Sequence, residues 1–319
     1  MRTMATLVSI PVITYNSSNT VLETLESVKA QTYPNIELVV SDDCSTDNTI
    51  EICQNWIEQN KARFTRAEIL IVDKNTGPTA NSDRAIRACH GEWIKCIAGD
   101  DLLTEDCVAE FMNYVQSHSD CQICTCDLDL FSTEVEINKE HKARYRHYTE
   151  LAFGDLDTQQ KEILKTLFIP GPAWFVSKKL FDVMGGYDLS GQYPGEEWTF
   201  TTKVLFNNYR FHVVDKKLVK YRVSPTSISH QQHSREKAER SFYQNLNFFK
   251  EVQLSKMIHK RMYIEAYNRW CRYKKEEALY RYEYKGNHRL YQCAKIFFSI
   301  IDFPSYKRFV KDCIIIKKI

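Results

Sequence analysis

The first hundred residues alternate between two patterns of apolar positions. Continuous apolar runs rich in β-branched residues, typical of buried strands, are separated by segments in which apolar residues recur at helical spacing. The predicted strands are residues 6–14, 36–41, 69–73 and 93–98, and the predicted helices are residues 20–31, 46–60 and 80–89. Strands that alternate with helices predict an α/β fold in which a mostly parallel, Rossmann-like sheet is flanked by helices.

The pattern changes twice in the rest of the chain. Residues 141–170 are largely polar and include HKARYRHYTE, which indicates a surface excursion over one side of a ligand cleft. After about residue 235 the chain has a long helical pattern rich in Tyr and Lys, with no proline before Pro304. We therefore predict a catalytic domain over residues 1–234 and a C-terminal helical extension over residues 235–319.

The overall formal charge of +2 hides an uneven distribution. Residues 256–319 contain sixteen Lys and Arg against six Asp and Glu, together with aromatic residues and short apolar runs. This composition is expected at an anionic membrane surface. It is equally expected in a helical bundle that packs on the catalytic domain with its basic residues in solvent. Nucleic-acid binding is less well supported, because no recognisable binding module accompanies the charge.

The sequence indicates a cytoplasmic protein, either free or peripheral on the inner face of the cytoplasmic membrane. The N-terminus lacks the apolar stretch and cleavage site of a signal peptide, and no segment reaches the roughly 18 to 20 apolar residues that span a bilayer. The eleven cysteines are therefore expected to be reduced thiols. The cluster Cys121, Cys124 and Cys126 has no second ligand pair for zinc, so we interpret it as part of a buried strand.

Three pairs of adjacent carboxylates stand in predicted loops. The pairs are Asp42 and Asp43, Asp100 and Asp101, and Glu196 and Glu197. Because ligands of open parallel sheets bind beyond the carboxyl ends of the strands, the loops after these strands should converge on one cleft. Adjacent carboxylates there suit a nucleotide diphosphate, whose Mg²⁺ or Mn²⁺ ion is normally held by one or two carboxylates. A further carboxylate can remove the proton from a hydroxyl group.

Each pair also has a purely structural explanation, since Asp in loops often caps helices. Ser45 or Asp47 could cap a helix over residues 48–60, and Asp101 could cap one over residues 102–117. For any single pair this structural explanation is the better one. The occurrence of all three pairs in this order favours a ligand site.

Over about residues 6–230 the chain resembles the family 2 glycosyltransferases, which have the GT-A nucleotide-diphospho-sugar transferase fold. The motifs in register are VSIPVITYNSSNTVLETLESVKAQTYPNIELVVSDDCSTDNT, KNTGPTANSDRAIRACHGEWIKCIAGDD, FIPGPAWFVSKKLFDVMGGYD, GEEW and LVKYRVSPTSIS. The first motif is highly specific, and the order and spacing of the others make chance improbable. The resemblance implies a donor half over about residues 1–101 and an acceptor half over about residues 102–234.

The resemblance also implies which residues bind the nucleotide sugar donor. They are Pro11, Thr14, Tyr15, Asn16, Asp42, Asp43, Asn75, Gly77, Asn81, Asp83, Arg84 and Asp100. Asp43 matches the carboxylate that holds the uracil or ribose. Asp100 and Asp101 match the end of the DxD-type motif, whose first Asp is replaced by Ala98, so Asp101 is expected to bind Mn²⁺ or Mg²⁺ with Asp100 beside it.

On the acceptor side, the resemblance implies roles for residues 171–174 and for the third acidic pair. Gly171, Pro172, Ala173 and Trp174 match the segment that faces the acceptor. The acidic pair of the family is usually Glu-Asp, whereas here it is Glu196-Glu197, and by position Glu197 is the catalytic base of an inverting transfer. Ser224 stands where the family often has His, and His230 is a candidate substitute.

The implied function is transfer of a sugar from a nucleotide diphosphate sugar to a hydroxyl group of a glycan or lipid-linked oligosaccharide, with a UDP-sugar as the expected donor. Such acceptors belong to surface polysaccharide biosynthesis, for example of O-antigen or capsule. A nucleotidyltransferase is the first alternative, but it would carry a Gly-rich, basic phosphate loop after the first strand, and TYNSSNT is neither. A non-catalytic sugar-nucleotide-binding protein is the second, and the acidic pair near residue 196 argues against it.

Overall fold

The computed structural model describes residues 5–224 and 234–301. The chain divides into two compact units. The first comprises Met1–Leu189 with Gly195–Gln231, and the second comprises Ser190–Pro194 with Gln232–Ile319. The sheet and the three carboxylate pairs lie in the first unit, whereas the described part of the second unit is helical.

A mixed sheet of nine strands forms the centre of the first unit within the described residues. In chain order the strands are β1 (Val8–Thr14), β2 (Ile36–Asp42), β3 (Arg66–Ile71), β4 (Trp93–Ile94), β5 (Ile97–Ala98), β6 (Leu102–Leu103), β7 (Ile123–Phe131), β8 (Phe175–Ser177) and β9 (His212–Arg222). Across the sheet the order is β3-β2-β1-β4-β8-β7-β9-β6, and β5 pairs with β1. The predicted α/β fold with a mostly parallel sheet is confirmed.

Helices connect the strands and make up the second unit. In the first unit they are α1 (Val21–Lys29), α2 (Thr49–Asn60), α3 (Pro78–Arg87), α4 (Cys107–Ser117), α5 (Lys139–Ala152), α6 (Leu156–Ile163), α7 (Lys178–Val183) and α8 (Glu196–Phe206). In the second unit they are α9 (Arg235–Phe248), α10 (Leu254–His259), α11 (Tyr263–Arg281) and α12 (His288–Ile301). The predicted helical character of the C-terminal region is confirmed for the residues described.

The direction of the strands brings their carboxyl ends to one edge of the sheet. β1 pairs in parallel with β2, β4 and β5, and β2 pairs in parallel with β3. β7 and β9 run in the same direction as β4, because β8 is antiparallel to both β4 and β7. Thr14, Asp42, Ala98 and Arg222, which end β1, β2, β5 and β9, therefore lie at the same edge, called here the carboxyl edge.

A stack of aromatic rings joins the parallel strands to the antiparallel part of the sheet. The ring of Phe175 in β8 lies between Trp93 of β4 and Phe111 of α4, with centroid distances of 5.0 and 4.9 Å. Phe175 and Phe111 are fully buried. Burial of each such ring contributes about 2 to 3 kcal/mol to stability, so this stack holds the two parts of the sheet together.

The polar residues predicted to form a surface excursion include two helices, α5 and α6. The side chain of Asn138 accepts a hydrogen bond from His141 N, and that of Asp155 accepts one from Thr158 N. These contacts satisfy backbone N–H groups that a helix start leaves unpaired. The apolar pattern did not reveal α5 because its buried residues are only Thr149 and Ala152.

The second unit has a small aromatic core of its own. Phe242 and Leu246 of α9 pack with Tyr280 of α11, and Tyr273 lies against this cluster. A π-helical turn, Phe249–Gln253, joins α9 to α10. Among the residues described, no helix has both the length and the apolar composition needed to cross a bilayer.

Candidate active site

The loop that follows β1 is tied to the loop that follows β2. Thr14 Oγ1 donates a hydrogen bond to Asp42 Oδ2 at 2.7 Å, and Asp42 is fully buried. Asn16 adopts the left-handed conformation, with φ of 50°, and its Oδ1 accepts a hydrogen bond from Thr46 N at 2.8 Å. Asp42 and Asn16 thus act as anchors, whereas Tyr15, which is 49% exposed, presents its ring to solvent.

Asp43 is the centre of a hydrogen-bonded cluster at the carboxyl edge. It accepts hydrogen bonds from Thr76 N at 2.9 Å, Thr76 Oγ1 at 2.6 Å, Gly77 N at 2.7 Å and Arg84 Nη2 at 3.1 Å. Burial alone would raise the pKa of Asp43, but these donors hold it below its ordinary value. A nucleotide that bonded to Asp43 would have to replace one of these donors.

The predicted donor residues of α3 and the loop before it join this cluster. Asn75 Oδ1 accepts a hydrogen bond from Gly77 N at 3.0 Å, and Gly77 has a φ of +88°, which favours glycine. Asn81 Nδ2 donates to the carbonyl of Thr14 at 3.2 Å, and Arg84 Nη2 donates to Asn81 Oδ1 at 2.7 Å. The structure therefore brings Asn75, Gly77, Asn81 and Arg84 together with Asp43.

Two further predicted donor residues, Asp83 and Pro11, make contacts within the fold. Asp83 Oδ1 accepts a hydrogen bond from Tyr187 N at 3.0 Å, and Asp83 Oδ2 pairs with Arg87 Nε at 2.5 Å. Asp83 therefore holds the GGYD turn, and its contact with the donor stays a prediction. Pro11 is buried within β1, where it lies opposite Val39 of β2.

Asp100 and Asp101 follow β5 and contact Arg222 at the end of β9. Asp101 Oδ1 accepts a hydrogen bond from Arg222 N at 2.8 Å, and the carbonyl of Asp100 accepts one from Arg222 Nε at 2.8 Å. Burial and the charge of Asp100 raise the pKa of Asp101 well above its ordinary value. The suggestion that Asp101 caps a helix is wrong, because α4 begins at Cys107 and its N-cap position is Asp106.

The chemistry of Asp100 and Asp101 fits a hard divalent cation. Their carboxylate oxygens are the ligands that Mg²⁺ prefers, and a cation would offset the unfavourable burial of adjacent negative charges. Within residues 5–224 and 234–301, no group of three or more His, Cys, Asp or Glu is arranged to hold a metal ion. A cation at this pair would therefore need further ligands from phosphate and water.

A short 3-10 turn, Gly171–Ala173, holds Glu197. Gly171 N donates a hydrogen bond to Glu197 Oε1 at 2.7 Å, and Glu197 lies in the first turn of α8. A Cβ atom on residue 171 would lie 2.5 Å from Glu197 Oε1, so any other residue at 171 would require the Glu197 carboxylate to shift. Ala173 and Trp174, predicted to face the acceptor, are buried in the core, and Trp174 Nε1 donates to the carbonyl of Ile169 at 3.2 Å.

The two adjacent glutamates have different surroundings. The hydroxyl of Thr79, at the start of α3, donates a hydrogen bond to Glu196 Oε2. Removal from water and the charge of Glu196 raise the pKa of Glu197 to about 7, against the opposing effect of the Gly171 N–H group. A carboxylate with a pKa near 7 is well suited to accept a proton at neutral pH.

Two tyrosines that the sequence did not single out lie near the carboxylates. Tyr145 of α5 and Tyr221 of β9 have ring centroids 5.7 Å apart. Burial raises the pKa of Tyr221, and the nearby groups Tyr145, Asp101 and Glu197 raise it further. Tyr221 therefore lies within electrostatic reach of both the candidate cation ligand and the candidate base. Its place beside Arg222 in the motif LVKYRV was the available signal, whereas Tyr145 had none.

The residues proposed near the end of the catalytic domain are only partly described. Ser224 Oγ donates a hydrogen bond to Glu134 Oε2 at 3.2 Å, so it contacts the segment that follows β7. His230 lies outside the described residues, and its suggested role stays a prediction.

A separate pocket lies at the opposite edge of the sheet. It has a volume of about 230 Å³ and is lined by residues that include Asp120, Arg210 and His212. His212 begins β9 and Asp120 precedes β7, so the pocket is at the amino ends of these strands. Because the carboxylate pairs and the loops of the Asp43 cluster lie at the carboxyl edge, we place the candidate active site there.

Comparison with known proteins identifies the family of the chain. The profile of Glycosyl transferase family 2 matches residues 9–185, more than half of the chain. The chain therefore belongs to glycosyl transferase family 2.

Individual relatives match parts of the chain. Glycosyltransferase GlyG of Streptococcus pneumoniae is 32% identical over 35% of this chain, and the match spans 36% of GlyG. Abequosyltransferase RfbV of Salmonella typhimurium is 28% identical over 67% of this chain and 66% of its own length. The crystal structure of TarS 1–349 from S. aureus in complex with UDP-GlcNAc is similar over 94% of this chain and 91% of the TarS chain. The TM-score of this match is 0.58 and the sequence identity is 18%. The likeness to TarS shows the GT-A fold.

The surroundings of Glu197 generate a prediction that requires no substrate. We expect its carboxyl group to titrate near pH 7, with the protonated form present below that pH. In Glu196→Gln the titration should move to lower pH, because removal of a neighbouring negative charge favours the ionised form. Infrared spectroscopy of the protonated carboxyl band, assigned by its absence in Glu197→Gln, measures both values. Titration of Glu197 near its ordinary pKa in the native protein would contradict the proposed burial of the carboxyl group.

Proposed function

We propose that this protein is an inverting glycosyltransferase that moves a sugar from a nucleotide diphosphate sugar, a UDP-sugar, to an acceptor hydroxyl group. The observation that carries the proposal is the carboxyl group of Glu197, held by Gly171 N at 2.7 Å and with its pKa raised to about 7. Tyr221 lies near both Glu197 and Asp101, because the charge of each carboxylate raises the pKa of Tyr221. A base and a candidate cation site at one edge of the sheet are the two requirements of this transfer.

The proposed reaction is a single displacement. Ionised Glu197 removes the proton of the acceptor hydroxyl group as its oxygen forms a bond to the anomeric carbon. The bond between that carbon and the nucleotide diphosphate breaks, and the electron pair leaves with the diphosphate. Attack from the face opposite the leaving group inverts the anomeric carbon. Glu197 then carries the proton, and it must lose it before the next turnover.

Asp100 and Asp101 would hold the divalent cation, Mn²⁺ or Mg²⁺. When bound, such an ion supplies positive charge that stabilises the leaving diphosphate. Arg222 holds the carboxylate of Asp101 through its backbone N–H group and the backbone carbonyl of Asp100 through its guanidinium group. Arg222 is itself held by an ion pair with Glu23 of α1 at 2.6 Å. The carboxylate pair is therefore supported from β9 and α1 before any ligand binds.

We propose that the donor lies against the Asp43 cluster and that the acceptor is a glycan or lipid-linked oligosaccharide of a surface polysaccharide pathway. The UDP-GlcNAc complex of TarS supports a UDP-sugar as donor. The abequosyltransferase among the relatives supports transfer of a sugar as the reaction. Membership of family 2 favours this activity over nucleotidyl transfer, and the retained acidic pair favours an enzyme over a non-catalytic binding protein.

The first activity prediction concerns the base. Glu197→Gln keeps a hydrogen-bond acceptor for Gly171 N but cannot take a proton, so transfer should fall by about 10² to 10⁴. Binding of the UDP-sugar, measured by calorimetry, should change little. In the native enzyme kcat should rise as the pH increases through about 7, because only the ionised form of Glu197 accepts the proton.

Glu196→Gln is the matched control for this prediction. It changes the neighbouring carboxylate by the same substitution, and it should reduce transfer much less than Glu197→Gln does. A dead Glu196→Gln beside an active Glu197→Gln would assign the base to residue 196. Loss of UDP-sugar binding in Glu197→Gln would make Glu197 a ligand of the donor.

The second activity prediction concerns the cation. Asp101→Asn keeps an oxygen that can accept the hydrogen bond from Arg222 N, but it removes the negative charge. We expect transfer to fall by about 10²-fold or more and the Mn²⁺-dependent gain in UDP-sugar affinity to disappear. Asp106→Asn, a nearby substitution at the N-cap position of α4, should retain both. Full activity of the native enzyme in excess chelator would refute the assignment.

We also propose that α12 contacts an anionic membrane surface from the cytoplasmic side. Phe298 packs against Trp270 of α11 with ring centroids 5.9 Å apart, whereas Leu290 and Phe297 are 48% and 57% exposed. Leu290 and Phe297 are seven residues apart and so share one helix face. Arg289 is exposed beside them. An apolar face next to positive charge matches an interface rich in anionic headgroups.

Vesicle binding tests this proposal. The double variant Leu290→Asp, Phe297→Asp should bind phosphatidylglycerol vesicles at least about tenfold more weakly than the native protein, because two apolar side chains no longer enter the interface. Added salt should weaken the native association. Val183→Asp, at a residue of the first unit that is 63% exposed, is the control and should bind as the native protein does. Unchanged binding of the double variant would exclude α12 as the contact.

A further inference from the structure

Lys95 is a fully buried lysine in the break between β4 and β5. The sequence predicted an uninterrupted strand over residues 93–98, in which an apolar side chain would suit a buried position. The backbone N–H of Lys95 still donates to the carbonyl of Ser9 at 2.9 Å, so the chain stays beside β1. Because an ammonium group in a core is unfavourable without hydrogen-bond partners, its contacts must account for its presence.

The ammonium group of Lys95 donates to two carbonyl groups. Its Nζ atom lies 2.5 Å from the carbonyl oxygen of Pro172 and 3.1 Å from that of Cys96. Pro172 is the middle residue of the turn Gly171–Ala173, 77 residues further along the chain. Hydrogen bonds from a charged donor are shorter and stronger than neutral ones. Lys95 therefore connects this turn to the sheet through a hydrogen bond.

The same turn presents its first backbone N–H group to Glu197. Gly171 N donates to Glu197 Oε1 at 2.7 Å, and Pro172, which has no N–H group, directs its carbonyl to Lys95. Two adjacent residues of one turn thus each make a hydrogen bond, Gly171 with Glu197 and Pro172 with Lys95. A shift of Pro172 would move Gly171, because the two share a planar peptide bond.

We infer that Lys95 is a positioning residue for the general base: by binding the carbonyl of Pro172, it fixes the turn that holds the carboxylate of Glu197. The inference rests on the proposed function of Glu197. Lys95 acts through the turn, and its role is to keep the Gly171 N–H group aimed at Glu197 Oε1. Without this support the hydrogen bond to the ionised carboxylate weakens.

The charged and titratable groups around Glu197 and Lys95 influence the pH dependence of kcat, which is the quantity to be measured. Glu197 faces Glu196 of its own helix, Tyr145 of α5, Tyr221 of β9 and Tyr187 of the GGYD turn. Lys95 faces Asp101, Cys96, Cys107 and Cys126. The Gly171 N–H group lowers the pKa of Glu197. Its loss would therefore move the pH dependence of kcat to higher pH.

The experiment compares Lys95→Met with Gln160→Met in the full-length protein. Methionine has nearly the length of lysine and no donor. Gln160 is a buried residue whose Nε2 donates to the carbonyl of Leu205, near the other end of α8, at 2.7 Å. The control thus removes a buried hydrogen bond to the same helix without touching the turn. We measure kcat and KM against pH and against Mn²⁺ concentration, and UDP-sugar binding by calorimetry.

For Lys95→Met we expect kcat at neutral pH to fall about tenfold, with the rise of kcat displaced to higher pH and UDP-sugar binding little changed. Gln160→Met should keep the native pH profile. Lys95→Gln, which retains a shorter donor, should recover part of the native profile. A native pH profile in Lys95→Met overturns the inference, as does a loss that excess Mn²⁺ restores, because that effect would lie at Asp101.

The remaining outcomes separate this inference from the proposed function. If Glu197→Gln loses transfer while Lys95→Met retains the native profile, only the role of Lys95 fails. If Glu197→Gln retains native transfer, the assignment of the base fails and the role of Lys95 fails with it. If neither Lys95→Met nor Lys95→Gln folds, Lys95 is a residue of the core alone and the inference is overturned.

Discussion

Buried and half-buried carboxylates at the carboxyl edge hold the loops of the candidate active site in place. The carboxylate of Asp43 accepts hydrogen bonds from the backbone N–H groups of Thr76 and Gly77. Asp101 accepts one from the backbone N–H group of Arg222. Glu197 accepts one from the backbone N–H group of Gly171. A carboxylate removed from water is costly unless donors surround it. The loops supply these donors, so each loop adopts the conformation that satisfies its carboxylate. The geometry of the site therefore follows from the hydrogen bonds between the loops and these carboxylates.

The number of donors separates carboxylates that anchor from carboxylates suited to chemistry. Asp43 has four hydrogen bonds from this chain, and its pKa is lowered. Asp101 and Glu197 have fewer donors and a charged carboxylate next to them, and the pKa of each is raised. A carboxylate whose negative charge is only partly balanced by donors of the protein is suited to bind a cation or to accept a proton. Asp101 and Glu197, the two candidate functional carboxylates, thus have fewer donors than Asp43.

The departures from the family pattern leave this arrangement intact. Ala98 replaces the first Asp of the DxD-type motif, yet Asp101 keeps its support from Arg222 at the end of β9. Glu197 replaces the more usual Asp, and a glycine at residue 171 makes room for the longer side chain. The contact between Thr79 and Glu196 joins α3, in the donor half, to the first turn of α8. The site is therefore supported from several elements of the first unit.

The sequence by itself determined the order of strands and helices in the first hundred residues, the family and the positions of the three carboxylate pairs. These features are local, because burial of one face sets the periodicity of apolar residues and a motif keeps its spacing along the chain. Tertiary structure alone decided which carboxylates are anchors. Asp83 matched a donor motif, but its partner Tyr187 lies 104 residues away, and Lys95 interrupts an apolar run for a contact with Pro172. Such pairings depend on which distant segments meet at one edge of the sheet, and no local pattern encodes the donors that each buried group will find.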